Sequence, residues 1–306
     1  MYDGPVIDAF LHSPWVGEAD TPAGRGDVVP WSTDPRLRRV MHTFAHDADA
    51  GEPVYRDRAT VLAEMDAAGV ERAVLPAKVY YAATAEGVEA THRGLAEVAA
   101  GSDDRLRVVG TLIPPELGPA TYWDVMRNVE LVVDSVERHD VVGVHITPSP
   151  WGIEPNHKWF WPVYAKCVEL AIPVVTYVGM PAPLWPMQPN HPAHLEEIAL
   201  AFPDLVIVAH HLGDPWVDEM IRLAARHENV YICTSAWSPK RYPAALTEFM
   251  ASRWHGTDGA EKVVFATDAP LLDMDRGVRD ARRLALTEAQ AEAFLYGNAR
   301  RLFWGR

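Results

Sequence analysis

Three observations predict an α/β protein folded as a distorted (β/α)8 TIM barrel. Short runs rich in Val and Ile alternate with amphipathic stretches, which is the pattern of parallel strands joined by crossover helices. Eight such runs occur, and a helical stretch follows each of them, as a barrel of this kind requires. The 306 residues, 48% of them hydrophobic, suffice for one such barrel. We therefore predict a single domain over residues 1–306, with an open, doubly wound sheet as the structural alternative.

The predicted elements follow one another along the chain. The strands are residues 5–10, 72–78, 107–114, 141–148, 172–179, 205–213, 229–236 and 262–269. Helices are predicted at 58–69, 123–138, 161–170, 215–227 and 287–303, and a capping box of Thr287 and Gln290 starts the last of them. Two connections are too long for plain turns, residues 13–57 and 180–193. Both leave the carboxyl end of a strand, where barrel active sites form, so we predict lid loops after strands 1 and 5.

Charge and cysteine content restrict the partners and the compartment. Lys and Arg number 28 against 42 Asp and Glu, which gives a formal net charge of −14. This balance argues against a nucleic-acid partner and against an anionic membrane surface, and it leaves a small-molecule substrate. The first residues lack a signal-peptide pattern, and no apolar run reaches the roughly 18 residues of a membrane span. Cys167 and Cys233 lie far apart in apolar segments and indicate reduced thiols, so we expect a cytoplasmic protein.

Polar side chains gather at the predicted carboxyl ends of the strands. They are His12, Lys78, His145, Tyr177, His210, His211 and Asp268. Imidazole and carboxylate groups that converge there are suited to bind a divalent metal. Adjacent residues of a strand point to opposite faces, so His210 and His211 face the interior together only if the strand has already turned. Each residue also has a structural explanation: Lys78 can close an ion pair, Tyr177 can pack in the core, and Asp268 can cap a turn.

Aromatic residues predict an apolar mouth around these groups. Eleven tryptophans are more than a core of this size needs, and many fall near loops. We assign Trp15, Trp151 and Trp185 to the substrate pocket, together with Phe10 and Lys78. Phe10 is the most informative of them. Many metal-dependent hydrolases end their first strand with Asp-x-His-x-His, whereas "IDAFLH" has a phenylalanine at the first histidine position.

Motifs over nearly the whole chain resemble the amidohydrolase superfamily, in the branch related to aminocarboxymuconate-semialdehyde decarboxylase. They are "IDAFLH", "LAEMDAAGVERAVL", "WPVYAKCVELAIPVV", "FPDLVIVAHHLG", "NVYICTSA", "KVVFATDAPL" and "YGNARRLF". The resemblance implies a barrel of the amidohydrolase type with a metal at the carboxyl ends of its strands. It places Phe10 and Tyr177 at positions of metal-binding histidines. His12, His211 and Asp268 match the family residues, Asp268 as a metal ligand that also handles the proton.

The altered ligand pattern leaves three interpretations. The resemblance favours a group of nonheme diiron, O2-dependent monooxygenases on this fold, which implies two Fe, an apolar, CoA-linked acyl (terpenoid-like) substrate and an electron donor. The alternative is a metal-dependent hydrolase or decarboxylase with Zn or Mn, and the third is a metal-free binding protein. The predicted metal ligands are His12, His145, His210, His211, Asp268 and Tyr177, and the predicted catalytic residues are Asp268, His211 and Tyr177. We expect a homodimer.

Overall fold

The computed structural model describes residues 2–12, 57–78, 84–116, 122–181, 185–254 and 256–305. Eight parallel strands form one sheet in chain order, which confirms the predicted barrel strands. They are β1 Val6–Asp8, β2 Val70–Pro76, β3 Leu106–Thr111, β4 Val141–Ile146, β5 Val174–Tyr177, β6 Ile207–His210, β7 Val230–Cys233 and, after the antiparallel pair of β8 Arg253–Trp254 and β9 Thr257–Asp258, β10 Val263–Val264. The last strand is shorter than predicted, and its continuation runs to the site as extended chain without strand pairing to β7.

Helices separate the strands and cover the outside of the barrel. They are α1 Arg58–Ala68, α2 Ala85–Ala100, α3 Val125–His139, α4 Pro148–Trp151, α5 Trp161–Glu169, α6 His194–Ala201, α7 Val217–Arg226, α8 Ala244–Met250, α9 Met274–Ala281, α10 Glu288–Glu292 and α11 Asn298–Trp304. The predicted capping box of Thr287 and Gln290 is present, and a π-helical turn at Ala293–Gly297 links α10 to α11. None of the described helices is long and apolar enough to span a bilayer.

Apolar residues pack on both faces of the barrel sheet. Alternate residues of each strand point inwards, where one cluster contains Ile7, Val74, Val175, Val208 and Val264. The other face of the strands packs against the helices in a larger cluster that includes most of the remaining core. The strands of this parallel sheet are therefore buried on both faces, and this burial explains why they are apolar almost throughout.

The two lid predictions have different outcomes. Residues 13–56 of the first lid lie outside the described residues. The described part of the second contains a short 3-10 helix at Gln188–Asn190, and the Asn190 side chain bonds the Ser149 amide and the Gly179 carbonyl. Gly179 has φ of 85°, and a Cβ there would lie 2.6 Å from the Asp214 carbonyl oxygen. Glycine is therefore needed where the connections after β5 and β6 meet, and a lid role for this segment stays a prediction.

The first and last strands close the barrel through their backbones. The Ala9 amide donates to the Phe265 carbonyl at 3.0 Å, the Asp268 amide to the Phe10 carbonyl at 2.9 Å, and the His12 amide to the Ala269 carbonyl at 3.0 Å. These bonds continue past the carboxyl ends of both strands. They place His12 directly beside Asp268.

Asp8 strengthens the same junction with its side chain. The fully buried carboxylate accepts hydrogen bonds from the Thr267 amide at 3.0 Å, the Thr267 hydroxyl at 2.5 Å and the Phe10 amide at 3.3 Å. Burial outweighs these three bonds and raises the pKa of Asp8 to about 7. Asp8 therefore links both strands at the cost of keeping an ionisable group in the core.

We expect this carboxyl group to make stability depend on pH. An unfolded aspartate has a pKa of about 3.9, so between about pH 4 and pH 7 the folded chain holds a proton that the unfolded chain releases. Stability from Asp8 is complete below this window and falls as pH rises through it. Asp8→Asn lacks this ionisable group. The difference between the unfolding free energies of wild type and variant should therefore change by on the order of 3 kcal/mol across the window.

Denaturant unfolding at several pH values measures the difference. Asp3→Asn, at an exposed aspartate of the same segment, is the matched control. Parallel pH profiles for wild type and Asp8→Asn would contradict the assignment.

Candidate active site

The predicted polar residues meet inside one end of the barrel because of strand alternation. Lys78 follows the inward-facing Val74 by four residues, Tyr177 follows Val175 by two, and His210 follows Val208 by two. Residues an even number apart in a strand point to the same face, so these side chains continue the interior wall. Asp268 continues the wall from Val264 and Ala266 in the same way.

A bulge in β4 turns His145 to the interior. The register with β3 pairs Val108 with Val141 but Gly110 with Val144, so β4 has one more residue than its partner over this interval. An extra residue reverses which face the following side chains occupy. His145 is consequently buried inside the barrel, in ring contact with Phe10.

His210 and His211 both reach the site because the strand ends between them. β6 stops at His210, and His211 has a left-handed φ of 74°. The two rings lie 4.0 Å apart between centroids, and the Tyr177 ring contacts both, at 4.8 and 4.3 Å. Asp268 also has a left-handed φ, 60°. Non-glycine residues rarely adopt this conformation, so tertiary contacts hold the backbone in place at this end of the barrel.

Lys78, His12 and Asp268 form a compact charged cluster. The Lys78 Nζ atom lies 3.2 Å from His12 Nδ1, 3.3 Å from His12 Nε2 and 3.5 Å from Asp268 Oδ1. His12 Nε2 is 3.1 Å from the same Asp268 oxygen. Burial raises the pKa of Asp268, but the Lys78 ammonium and the His12 imidazole outweigh it and hold that pKa well below its usual range. Asp268 is therefore a carboxylate at neutral pH.

His145 and His210 bond each other, and this bond sets their tautomers. His145 Nδ1 is 3.2 Å from the Ala77 carbonyl, which can only accept, so Nδ1 carries the proton in neutral His145. His145 Nε2 then accepts from His210 Nε2 at 3.1 Å. The buried Nδ1 of His210 has no hydrogen-bond partner among the described residues. Burial, with His211 and His145 nearby, lowers the pKa of His210 well below its usual value, so His210 is neutral.

Ser235 orients His211 from the end of β7. The Ser235 carbonyl lies 3.1 Å from His211 Nδ1, which places the ring proton there and leaves the Nε2 lone pair for another partner. Burial lowers the pKa of His211 to about 4, although the Asp268 carboxylate opposes this shift. Sequence reasoning did not identify Ser235 or the role of Asp8, because an orienting contact leaves no spacing pattern. The only signal was their place beside strand ends, in "CTSA" and "VIDAF".

Phe10 lies at the centre of the cluster. Its ring stacks on His210 at 4.5 Å between centroids, contacts His211 at 5.9 Å, and has the Lys78 ammonium 4.9 Å from its centroid. The other predicted pocket residues lie elsewhere. Trp151 is buried in the core against Phe160, Trp185 is half-buried in the connection after β5, and Trp15 lies outside the described residues.

The donors do not fit the single-metal site that the resemblance implies. Within the described ranges, no group of three or more His, Cys, Asp or Glu side chains is arranged to hold a metal ion. Phe10 offers no donor atom, and the Lys78 ammonium contacts both His12 and Asp268. His145 and His210 use one nitrogen each on the other. Two iron ions would need still more donors, so the diiron arrangement fits these residues less well than a single metal does.

Comparisons with known proteins agree with the fold. A family model described as amidohydrolase matches residues 7–304. An uncharacterized TIM-barrel protein of Bordetella bronchiseptica is 23% identical with a TM-score of 0.75, over 99% of this chain and 100% of that one. A 2,6-dihydroxybenzoate decarboxylase from Rhizobium is 17% identical with a TM-score of 0.70, over 99% of both chains.

A third solved structure carries a metal. It is a dihydroxybenzoic acid decarboxylase from Polaromonas sp. JS666, with bound manganese and the inhibitor 2-nitroresorcinol. It is 17% identical with a TM-score of 0.71, over 100% of this chain and 98% of that one. No curated protein matches the chain.

The histidine network predicts defined tautomers. NMR of isotope-labelled histidine nitrogens should show His145 and His211 as Nδ1–H forms and His210 as the Nε2–H form, with His210 and His211 neutral from about pH 5.5 to 7.5. His92 is the internal reference, because its Nε2 accepts from the Thr111 amide at 2.8 Å and its Nδ1 lies 2.7 Å from the Ser135 hydroxyl. A His210 that titrates within this range would contradict the described network.

Proposed function

The chain belongs to the amidohydrolase family, and we propose that it is an enzyme that removes the carboxyl group of a small aromatic acid without an oxidant. The observation that carries this proposal is the cluster of Lys78, His12 and Asp268 beside the ring of Phe10. It combines a cation for a carboxylate, a carboxylate-held imidazole for proton transfer, and an aromatic wall. The decarboxylases among the structural neighbours support the same reaction class.

The reaction requires one proton and no electrons from outside. The bond between the ring carbon and the carboxyl carbon breaks, CO2 leaves, and the electron pair remains on the ring carbon, which takes up a proton. Lys78 binds the carboxylate of the substrate. His12, held by Asp268, donates the proton to the carbon and regains it from water.

The rings of Phe10 and Tyr177 bind the aromatic part of the substrate. An aromatic acid stacks on such rings, and an apolar surrounding favours the loss of its charged carboxylate as neutral CO2. His211, with its Nε2 lone pair available, lies against Tyr177 and can accept a hydrogen bond from a hydroxyl group on the ring. These contacts favour a hydroxybenzoate as the substrate class.

The same comparisons bear on the choice of metal and on the alternative functions. The manganese of the Polaromonas neighbour supports a divalent metal as the cofactor of this fold family, whereas two Fe gain no support. Because the donors described in this chain do not fit a metal site of that kind, the proposed reaction uses no metal. The monooxygenase interpretation, with an acyl-CoA substrate and an electron donor, also gains no support. The homodimer stays a prediction.

We expect His12→Gln and Asp268→Asn each to lower kcat by about 100-fold or more, because each removes part of the proton-donating pair. Product formation from a panel of hydroxybenzoates measures this, and His139→Gln, at the distant end of α3, is the control. In D2O the product should carry one deuterium at the carbon that lost its carboxyl group.

Oxygen distinguishes decarboxylation from hydroxylation. The rate should be the same in air and under strict anaerobiosis, because the proposed reaction uses no O2. If turnover needs O2 and yields a hydroxylated product, the proposal fails and the monooxygenase interpretation replaces it.

A further inference from the structure

We propose that the Lys78 ammonium takes the place of the divalent metal at this end of the barrel, so that the chain works with a cation built into its own sequence. The inference rests on the proposed function for the identity of the substrate group that the cation binds. Its structural part, that Lys78 holds the metal position, rests on contacts of this chain alone.

The position of the ammonium is the first support. Lys78 Nζ lies within 3.5 Å of two of the residues that match the family, His12 and Asp268, and only 4% of the Lys78 side chain is exposed. A metal would need these two donors at about 2.0–2.2 Å from its centre. It cannot approach them to that distance while a buried cation lies against both, because the two like charges would repel each other strongly at such short range.

Phe10 gives independent support. A phenyl ring cannot ligate a metal, but its face attracts an ammonium, and the Lys78 Nζ atom is 4.9 Å from its centroid. A histidine at this position would instead present a nitrogen donor. Phe10 and Lys78 therefore act together: the ring removes one metal ligand and at the same time stabilises the cation that replaces the metal.

Tyr177 occupies a second position where the resemblance implies a metal-binding histidine. It ends β5, where the resemblance implies a third ligand, and its ring contacts the rings of His210 and His211. At both positions where the resemblance implies a metal-binding histidine, Phe10 and Tyr177 thus offer no imidazole nitrogen. An ammonium has no coordination requirement and binds a carboxylate with hydrogen bonds alone, which matches the groups that remain.

Manganese binding tests the inference apart from catalysis. Full-length protein is treated with a chelator, dialysed, and titrated with Mn2+ alone while free Mn2+ is followed by EPR. We expect wild type to leave Mn2+ free at about 0.1 mM. The variant Phe10→His/Lys78→Met/Tyr177→His, which restores the family-type donors and removes the ammonium, should bind one equivalent at least about 50-fold more tightly. Lys158→Met, at an exposed lysine, is the control and should behave as wild type.

Each outcome decides the matter. Tight binding of one Mn2+ by wild type would overturn the inference, and so would a folded triple variant that binds no better than wild type. If circular dichroism shows that the triple variant does not fold, Lys78→Met decides instead. Mn2+ should raise its melting temperature but not that of wild type, and equal responses overturn the inference. None of these readouts needs turnover, so a missing decarboxylase activity would refute the proposed function and leave this inference standing.

Discussion

The junction between the first and last strands is the constraint on which the site depends. Asp8 and Thr267 are 259 residues apart in sequence, yet the amide and the hydroxyl of Thr267 both donate to the Asp8 carboxylate in the core. The backbone bonds that continue this junction set His12 against Asp268. Closure of the barrel and assembly of the charged cluster are therefore one event, and a buried acid at the junction is tolerated because it links both strands.

The sequence predicted the architecture well because buried parallel strands leave a strong apolar pattern. All eight strands and the capping box at Thr287 were found where they were expected. It could not predict the extra residue in β4, which turns His145 inwards, because a bulge depends on the neighbouring strand and not on local composition. Strand alternation indicated that both adjacent histidines face the site only if the strand turns. For the same reason as for the bulge, the sequence could not predict that turn at His211.

Within the site, the identity of the residues was predictable but their partners were not. Strand ends converge in any barrel, so His12, Lys78 and Asp268 could be placed together from spacing alone. Which side chain contacts which depends on distances across the barrel of a few ångströms. Lys78 is the clearest case, since its ion pair with Asp268 was one structural explanation among several. Trp151 is the opposite case, because a tryptophan near a loop also fits a core against Phe160.

The long separation between the two halves of the charged cluster has a consequence during synthesis. His12 is synthesised long before Asp268, so the edge of β1 that faces the last strand stays unpaired in the nascent chain until that strand has been made. Contacts this distant in sequence also form late in folding, since a very large loop must close first. No fragment that ends before the last strand can contain the site, and the protein acquires its chemistry in the same step that completes its fold.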